Sequence, residues 1–574
     1  MQNLIEKRRM SHKMFVVIIL FISISLALSI PAYCDDAVYK EEFNIILKQL
    51  DDITERIEKI EDKNGISEKE TLPEEKVEEL KTDVDDFLDI LNEVEKKSIV
   101  DQVELKAELR TRFDWFDFKG HDNIKFTDIH DGPLKHEKVS GLPSNRLRLN
   151  LHAEIASWLR FHSRLSMYHI WADDDYPVYP ESTFINQSRI PSDISLKVER
   201  VYADVFFEPI EQLPMALTFG RLPTTDGFPT NLREDTARKS TYPNMAYDVE
   251  TDGIGLSVDL SHFTGLKQSA YRLVYLRRCE DTETVTFGKK ITDKRGIYRV
   301  DEFNVDDLGI YISQFETLLP GIFRDTIFLI NLVYIPKTPT LDMRFSDDLY
   351  PFYYDSTGLL YIEEPSSIGH GWKATCYIES KNFLNLHMDA FIGAAYIKTK
   401  AEGATKFMLN PSVIGLPGPP VEARKAYETY QSLIDLIPNM EPLLKQLQGA
   451  PPPVGLINDD GTSDRDAYAI HIGFRYQLPL QVFHKPKLGV EYNHGSRYWL
   501  GFSDASEDPI HKLSTRGSVW DLYYIQPVNR YLTFRLGYTD IQQDYDFGVS
   551  FYFGNPNEID HHIKNVYFLM DARF

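Results

Sequence analysis

The chain has 574 residues, a formal net charge of −24 and an aromatic content of 13%, with 32 Tyr and 34 Phe. The acidic balance argues against a nucleic-acid partner, because proteins that bind nucleic acid carry basic surfaces. Three cysteines are too few for a disulfide scaffold, so Cys279 and Cys376 are expected to be free thiols.

The N-terminus has the pattern of an export signal. Basic residues precede an apolar run from Phe15 to Ile30, and small residues follow at Ala32 and Cys34. This pattern predicts a signal peptide over residues 1–34. No other segment approaches the roughly 18 apolar residues that a membrane helix needs, so we expect no helical membrane span after it.

Residues 35–98 form an acidic segment with heptad spacing. They contain 22 Asp or Glu against 10 Lys or Arg, which is half of the net charge of the chain. Apolar residues recur at alternating steps of three and four in two stretches, residues 46–60 and 77–94. The spacing predicts a short coiled coil. A trimeric periplasmic stalk and a plain acidic spacer both remain open.

From residue 99 to the end, segments of alternating polarity predict an antiparallel β-barrel. Connections at one end are expected to be short and those at the other end long, as in outer-membrane barrels. Residues 545–554 also have strand character, but the alternation of short and long connections assigns them to the last long loop. The 16 predicted strands lie near residues 103–117, 145–156, 158–169, 195–207, 213–221, 253–260, 269–278, 308–316, 325–336, 370–380, 384–398, 466–478, 487–496, 515–526, 530–540 and 563–574.

The last strand, NVYFLMDARF, carries Val566, Phe568 and Met570 on one face and stops on Phe574. It resembles the insertion signal of bacterial outer-membrane porins, with Phe574 as its terminal aromatic residue. Only a helix or a closed barrel can satisfy every backbone polar group in lipid, and a period of two selects the barrel. An edge strand of a soluble sandwich is the alternative interpretation.

The resemblance to porins extends over most of residues 100–574. It is carried by SNRLRLNLHAEIASW, LTFGRLPTTDGFP, GVEYNHGSRYW and the terminal NVYFLMDARF. The chain is most similar to an uncharacterised porin-like family with an acidic coiled coil before the barrel. The resemblance implies an all-β transmembrane barrel of about 16 strands in the outer membrane, with the N-terminal segment in the periplasm. It implies lipid, lipopolysaccharide and the barrel-assembly machinery as partners, leaves a homotrimer open, and implies no cofactor or metal.

Sixteen strands leave an aqueous channel, so the residues that face inward would set its selectivity. On the predicted strands the inward cations outnumber the inward carboxylates, which predicts an anion preference. Alternatively, these cations only pair with neighbouring carboxylates and stiffen the wall. The predicted pore-lining cations are Lys106, Arg110, Arg112, Arg146, Arg148, Arg160, Arg164, Arg475 and Arg535.

Two long loops carry further predictions. Residues 222–252 are the third outer connection, and general porins fold this loop into the barrel as a constriction; a position on the rim is the alternative. The residues expected in the constriction are Asp226, Arg233, Glu234, Asp235 and Arg238. The loop 399–465 contains a predicted helix with Tyr430, Leu433, Ile434 and Ile437 on one face.

The favoured function is a porin for passive diffusion of small hydrophilic or anionic solutes, without enzymatic activity. One alternative is a structural or conduit barrel filled by a partner protein. Another is an enzyme, because His494 and Ser496 resemble the His-x-Ser of outer-membrane phospholipases. The residues that follow, Arg497 and Tyr498, depart from the Asn-Gly of that family, and no third residue that would orient His494 is evident.

Overall fold

A computed structural model describes residues 103–120, 136–171, 196–278, 308–320, 325–338, 359–363, 365–432, 440–450, 452–480, 484–503, 508, 512–546 and 554–574. The predicted signal peptide and coiled coil lie outside these residues, as do Cys279 and most of residues 545–554. Among the described residues, no helix is long and apolar enough to cross a membrane.

Twenty strands account for most of the described chain. They are β1 (Val103–Lys119), β2 (His136–Ala156), β3 (Leu159–Ile170), β4 (Lys197–Phe207), β5 (Met215–Arg221), β6 (Asp252–Asp259), β7 (Ala270–Arg278), β8 (Leu308–Leu318), β9 (Thr326–Thr338), β10 (Leu360–Glu363), β11 (Gly369–Ser380), β12 (Met388–Ala401), β13 (Ala404–Leu409), β14 (Val421–Glu422), β15 (Val454–Gly455), β16 (Arg465–Gln477), β17 (Lys487–Gly495), β18 (Gly517–Pro527), β19 (Leu532–Tyr545) and β20 (Glu558–Arg573).

Sixteen of these strands form a closed barrel in the order β1–β9, β11, β12 and β16–β20. The barrel closes where β1 pairs antiparallel with β20, with Leu109 opposite Ala572 and Trp115 opposite Val566. The predicted fold class is therefore confirmed, and each of the 16 predicted strands corresponds to one barrel strand. Closure leaves no unpaired edge in the barrel, so each of the 16 barrel strands has two hydrogen-bonded neighbours.

The connections differ in length between the two ends of the barrel. At one end they are short, as at residues 208–214 and 528–531, and we call this the short-turn end. At the other end they include residues 222–251 and 402–464. The longest of these loops contains β13, β14, β15 and the helices Ala426–Tyr430 and Met440–Leu447. Tyr430 of the predicted helix is buried there in an apolar cluster, whereas residues 433–439 lie outside the described chain.

The strands alternate between an apolar outer face and a buried inner face, because successive side chains in a strand point to opposite sides. On β16 the outward Tyr468, Ile470 and Phe474 are exposed, whereas the inward His471 and Arg475 are buried. Other outward residues are also large and apolar, among them Tyr275, Ile330, Ile392, Trp520, Leu522 and Leu536. The outer wall is thus apolar while the interior carries polar and charged groups.

By the density of its internal contacts, the chain divides into two units. One comprises residues 1–104 and His152–Arg160, of which the structure describes residues 103–104 and the turn between β2 and β3. The other comprises Leu105–Leu151 and Phe161–Phe574, and it contains the remaining strands and all the long loops discussed below.

Candidate functional site

Residues 222–251, which connect β5 to β6, lie inside the barrel, and we call them the lumen loop. Residues 241–249 and the short helix Thr230–Arg233 are mostly buried. Hydrogen bonds or ion pairs join the loop to strands around the circumference, namely β1, β2, β3, β4, β7, β8, β11, β16, β17, β19 and β20. The loop therefore crosses the lumen.

Apolar packing holds one side of the lumen loop against the wall. Tyr247 and Val249 pack on inward residues of β7, β8 and β9, including Leu276 and Ile312. The turn at Gly227 is so close that a β-carbon there would lie 1.7 Å from the backbone oxygen of Tyr242. A side chain at position 227 is therefore incompatible with this turn. Burial of apolar surface supplies the driving force for folding the loop inward.

Three arginines converge on one carboxylate of the lumen loop. The Asp226 carboxylate lies 3.1 Å from Arg148, 2.6 Å from Arg164 and 3.0 Å from Arg200. Glu199 on β4 is a second acceptor, 3.1 Å from Arg148 and 2.9 Å from Arg164. All five side chains are buried. We call this group the arginine cluster.

Glu234 anchors the loop to β1 and β2. Its carboxylate lies 2.5 Å from Arg110 and 3.9 Å from Arg146. Arg110 also pairs with Asp571 on β20 at 2.6 Å, and Arg573 donates to the backbone oxygen of Glu234 at 3.1 Å. The loop is therefore tied to the strands on both sides of the closing seam between β1 and β20.

On β16 and β17 the charges of the contact are arranged as in the arginine cluster. Asp235 of the loop pairs with Arg475 at 2.9 Å and also with Lys487. Arg475 in turn pairs with Asp389 at 2.5 Å and donates to the backbone oxygen of Leu232 at 2.7 Å. Here the wall supplies the cations and the loop supplies the carboxylate.

Arg233 and Arg238 extend the contacts to further strands. Arg233 lies 3.6 Å from Glu491 on β17 and 2.9 Å from Asp508, and Arg535 donates to its backbone oxygen at 3.0 Å. Arg238 pairs with Glu379 at the short-turn end of β11 at 2.6 Å. The loop thus reaches deep into the barrel and does not remain on its rim.

The pKa values of the loop carboxylates are shifted. Burial by itself raises the pKa of Asp226, but Arg148, Lys239, Arg164 and Arg200 outweigh burial and hold that pKa well below its usual value. Burial likewise raises the pKa of Glu234, and Arg110 and the neighbouring cations hold it well below its usual value. Both side chains are therefore ionised at neutral pH.

Most of the predicted pore-lining cations are found in ion pairs. Besides those in the contacts above, Arg112 lies 2.7 Å from Asp114 and Arg160 lies 2.9 Å from Glu154. Lys106 is exposed. The predicted constriction residues Asp226, Arg233, Glu234, Asp235 and Arg238 all contact the inner wall. Whether these residues set ion selectivity stays a prediction.

Sequence analysis missed several members of this network. Glu199 and Arg200 are adjacent on β4 and both buried, so they do not follow the simple alternation. Glu379 and Lys487 also take part. Period-two alternation could have placed Glu379 on the inner face of β11. No sequence pattern pairs it with a loop more than a hundred residues away.

His494 and Ser496, the candidate catalytic pair, do not form a hydrogen bond with each other in the described structure. His494 Nδ1 lies 3.1 Å from the hydroxyl of Ser518 on the next strand. The Ser496 hydroxyl instead accepts the backbone N–H of Tyr468 at 2.9 Å. The geometry thus gives no support to the His-x-Ser pairing that the sequence suggested.

Comparisons with known proteins give one family and several similar structures. Pseudomonas putida OprB has a TM-score of 0.41 and 11% identity over 83% of this chain and 95% of its own. The outer-membrane channel DcaP of Acinetobacter baumannii has a TM-score of 0.37 and 12% identity, over 82% of this chain and 97% of its own. Salmonella typhi OmpF has a TM-score of 0.33 and 10% identity, over 82% of this chain and 97% of its own. No curated protein matches. The profile of one family, described as a protein of unknown function (DUF3373), matches residues 136–572, and the chain therefore belongs to that family.

Proposed function

We propose that the chain is an outer-membrane channel of the porin type, which passes small hydrophilic solutes through a barrel that the lumen loop narrows. The apolar outer wall supports a lipid environment, because a closed barrel satisfies all its backbone groups without water. Lipid and lipopolysaccharide would then cover residues such as Trp520 and Leu522, which are 57% and 48% exposed. A signal peptide and barrel-assembly machinery would deliver the chain to that membrane.

The observation that carries this proposal is the lumen loop inside a 16-stranded barrel. A barrel of this size is too wide to be filled by its own wall side chains. The loop crosses that space and is held by ion pairs, which are polar contacts compatible with a water-filled passage. Beside the arginine cluster, the side chains of His162, Asp204, Glu108 and Lys239 remain between 18% and 33% exposed. These groups would line the narrow part of the passage.

The selectivity of this passage would depend on the charges that are not neutralised. The three arginines of the cluster share two carboxylates, Asp226 and Glu199, so the cluster keeps one positive charge that is not neutralised within it. A strong anion preference would need this charge, Lys239 and the exposed Lys106 to act on passing solutes. We propose that neutral solutes and small anions both pass, with a modest preference for anions.

The conduit alternative is less well supported by the geometry. A barrel that encloses a partner protein needs an empty lumen, and here the chain's own loop occupies part of it. The enzyme alternative rests on a His494–Ser496 pair that does not form a hydrogen bond. A channel is the function that uses the closed wall, the polar interior and the inward loop together.

Solute uptake into proteoliposomes tests this proposal. Purified, folded protein is reconstituted, and swelling is recorded in a series of neutral sugars from a pentose to a trisaccharide. We expect swelling with the pentose and a clear decrease with increasing size, because the loop narrows the lumen. Liposomes with heat-denatured protein are the control. If no sugar makes the liposomes swell faster than this control, the result contradicts a channel.

A further inference from the structure

We propose that Asp508, on a second loop inside the barrel, is a selectivity-determining residue whose negative charge limits the preference of the passage for anions. The proposal rests on the channel function proposed above. Asp508 belongs to residues 496–516, which connect β17 to β18 and which we call the second loop. The structure describes residues 496–503, 508 and 512–516 of this loop.

The second loop is fixed to the inner wall of the barrel. Lys512 is buried and pairs with Glu491 on β17 at 2.9 Å and with Asp521 on β18 at 2.5 Å. The buried ammonium of Lys373 on β11 donates to the backbone oxygen of Leu500 at 3.0 Å. Because these partners lie on the inner faces of three strands, the second loop folds into the lumen.

The second loop also contacts the lumen loop directly. The backbone N–H of Asp248 donates to the backbone oxygen of Phe502 at 2.8 Å. Phe502 packs against the apolar cluster that contains Tyr247. Arg233 of the lumen loop pairs with Asp508 at 2.9 Å. The inner part of the barrel is therefore narrowed by two loops that are joined to each other.

Asp508 is more accessible than the arginines beside it. Its side chain is 23% exposed, whereas those of Arg233 and Arg112, at 2.9 Å and 3.7 Å, are 9% and 7% exposed. Arg112 lies on the inner face of β1, and Arg233 lies on the lumen loop. Asp508 is thus inside the barrel, and its exposed surface faces the passage.

The carboxylate of Asp508 is ionised in neutral solution. Partial burial by itself raises the pKa of Asp508, but Arg233, Lys512, Arg112 and Arg535 outweigh burial and hold that pKa below its usual value. The residue therefore contributes a full negative charge to the passage.

The charges around Asp508 balance only while this residue is ionised. The group contains four cations and four carboxylates, namely Arg112, Arg233, Lys512, Arg535, Asp114, Glu491, Asp521 and Asp508. A neutral residue at position 508 would leave one positive charge uncompensated beside the passage. In water, a unit charge about 8 Å away changes the local concentration of a monovalent ion roughly twofold. Asp508 therefore opposes the anion preference that the excess charge of the arginine cluster would give.

Reversal potentials in a salt gradient, recorded with the purified full chain in planar bilayers, test the proposal. For Asp508→Asn we expect the ratio of anion to cation permeability to rise at least about twofold. Conductance should change little, because the other contacts of the two loops remain. Asp508→Glu should restore the wild-type ratio. Asp464→Asn, which removes an exposed carboxylate that pairs with Lys400 at 2.8 Å, is the matched control and should leave the ratio unchanged.

The variant Asp508→Cys, combined with Cys279→Ser and Cys376→Ser, tests whether position 508 is open to the passage. A negatively charged methanethiosulfonate reagent should react with the thiol and return the permeability ratio toward that of the wild type. A positively charged reagent should raise the ratio further. Mass spectrometry of the folded protein detects the reaction whether or not the barrel conducts.

Folding of each variant is checked by heat-modifiable mobility on gels. An unchanged permeability ratio in a folded, conducting Asp508→Asn variant would overturn the role of Asp508 and leave the channel function standing. A clear increase in conductance would also overturn it, because Asp508 would then act by anchoring the lumen loop. Absence of reaction in the Asp508→Cys variant would overturn the position of this residue at the passage. A folded wild-type chain that does not conduct would contradict the channel function itself, and this proposal with it.

Discussion

Replacing Asp226 with asparagine should loosen the lumen loop and enlarge the passage. The carboxylate is the point at which Arg148, Arg164 and Arg200 meet. Breaking a buried ion pair from one side costs about 3–5 kcal/mol, because the remaining charge is left without a partner. Arg148 and Arg164 would keep Glu199, so we expect a cost at the lower end, about 3 kcal/mol.

A cost of about 3 kcal/mol corresponds to roughly a hundredfold shift in the ratio of released to docked loop, since about 1.4 kcal/mol is tenfold. Single-channel recording of the Asp226→Asn variant should therefore show larger or more variable conductance. The reversal potential in a salt gradient should also move toward anions, because a negative charge is lost from the lumen. Asp464→Asn, which removes an exposed carboxylate paired with Lys400, is the matched control. Conductance and reversal potential unchanged from wild type, in a variant that folds, would refute this role of Asp226.

Three further predictions concern the same chain. The pKa values of Asp226 and Glu234 are lowered, so the stability that their charges give the docked loop is fully present above about pH 5 and is lost as pH falls through the lowered values. Conductance should therefore be constant from pH 8 to 5 and rise only in stronger acid. A rise in conductance centred near pH 7 would contradict this. Gly227→Ala should raise conductance without unfolding the barrel, because the added carbon would lie 1.7 Å from a backbone oxygen; a wild-type conductance would show that the turn adapts. Leu80→Asp together with Leu91→Asp should dissociate any trimer that the predicted coiled coil forms, and an unchanged mass in native light scattering would leave residues 35–98 as a spacer.

The barrel itself could be predicted from sequence because its signals are local. Each strand is indicated by apolar and polar residues that alternate over about ten residues, and the order of short and long connections fixes the direction of each strand. Val566, Phe568 and Met570 were therefore placed on the correct, outward face of β20 without knowledge of any partner, opposite the buried Tyr567 and Leu569. Most strand ends shifted by only a few residues, but β2 begins nine residues earlier than predicted, β19 ends five residues later and β20 begins five residues earlier.

The interior was harder to predict because its contacts join distant parts of the chain. Arg110 pairs with Glu234 and Asp571, and no local pattern connects these positions. One overlooked signal lies in β7–β9, where both faces of the strands are apolar, as at Leu273 outside and Leu276 inside. A strand buried on both faces reads as a continuous apolar run, so such a run in a wide barrel indicates that a loop covers the inner wall.

The central claim is tested most directly by single-channel conductance in planar bilayers. The measurement compares the wild-type chain with a variant in which a short Gly-Ser linker replaces residues 224–249. If the chain is a channel that the lumen loop narrows, the wild type conducts weakly and the shortened variant conducts several times more, with the same heat-modifiable mobility. Equal conductance of the two proteins would show that the loop is not the constriction. A folded shortened variant that does not conduct at all would contradict the channel itself.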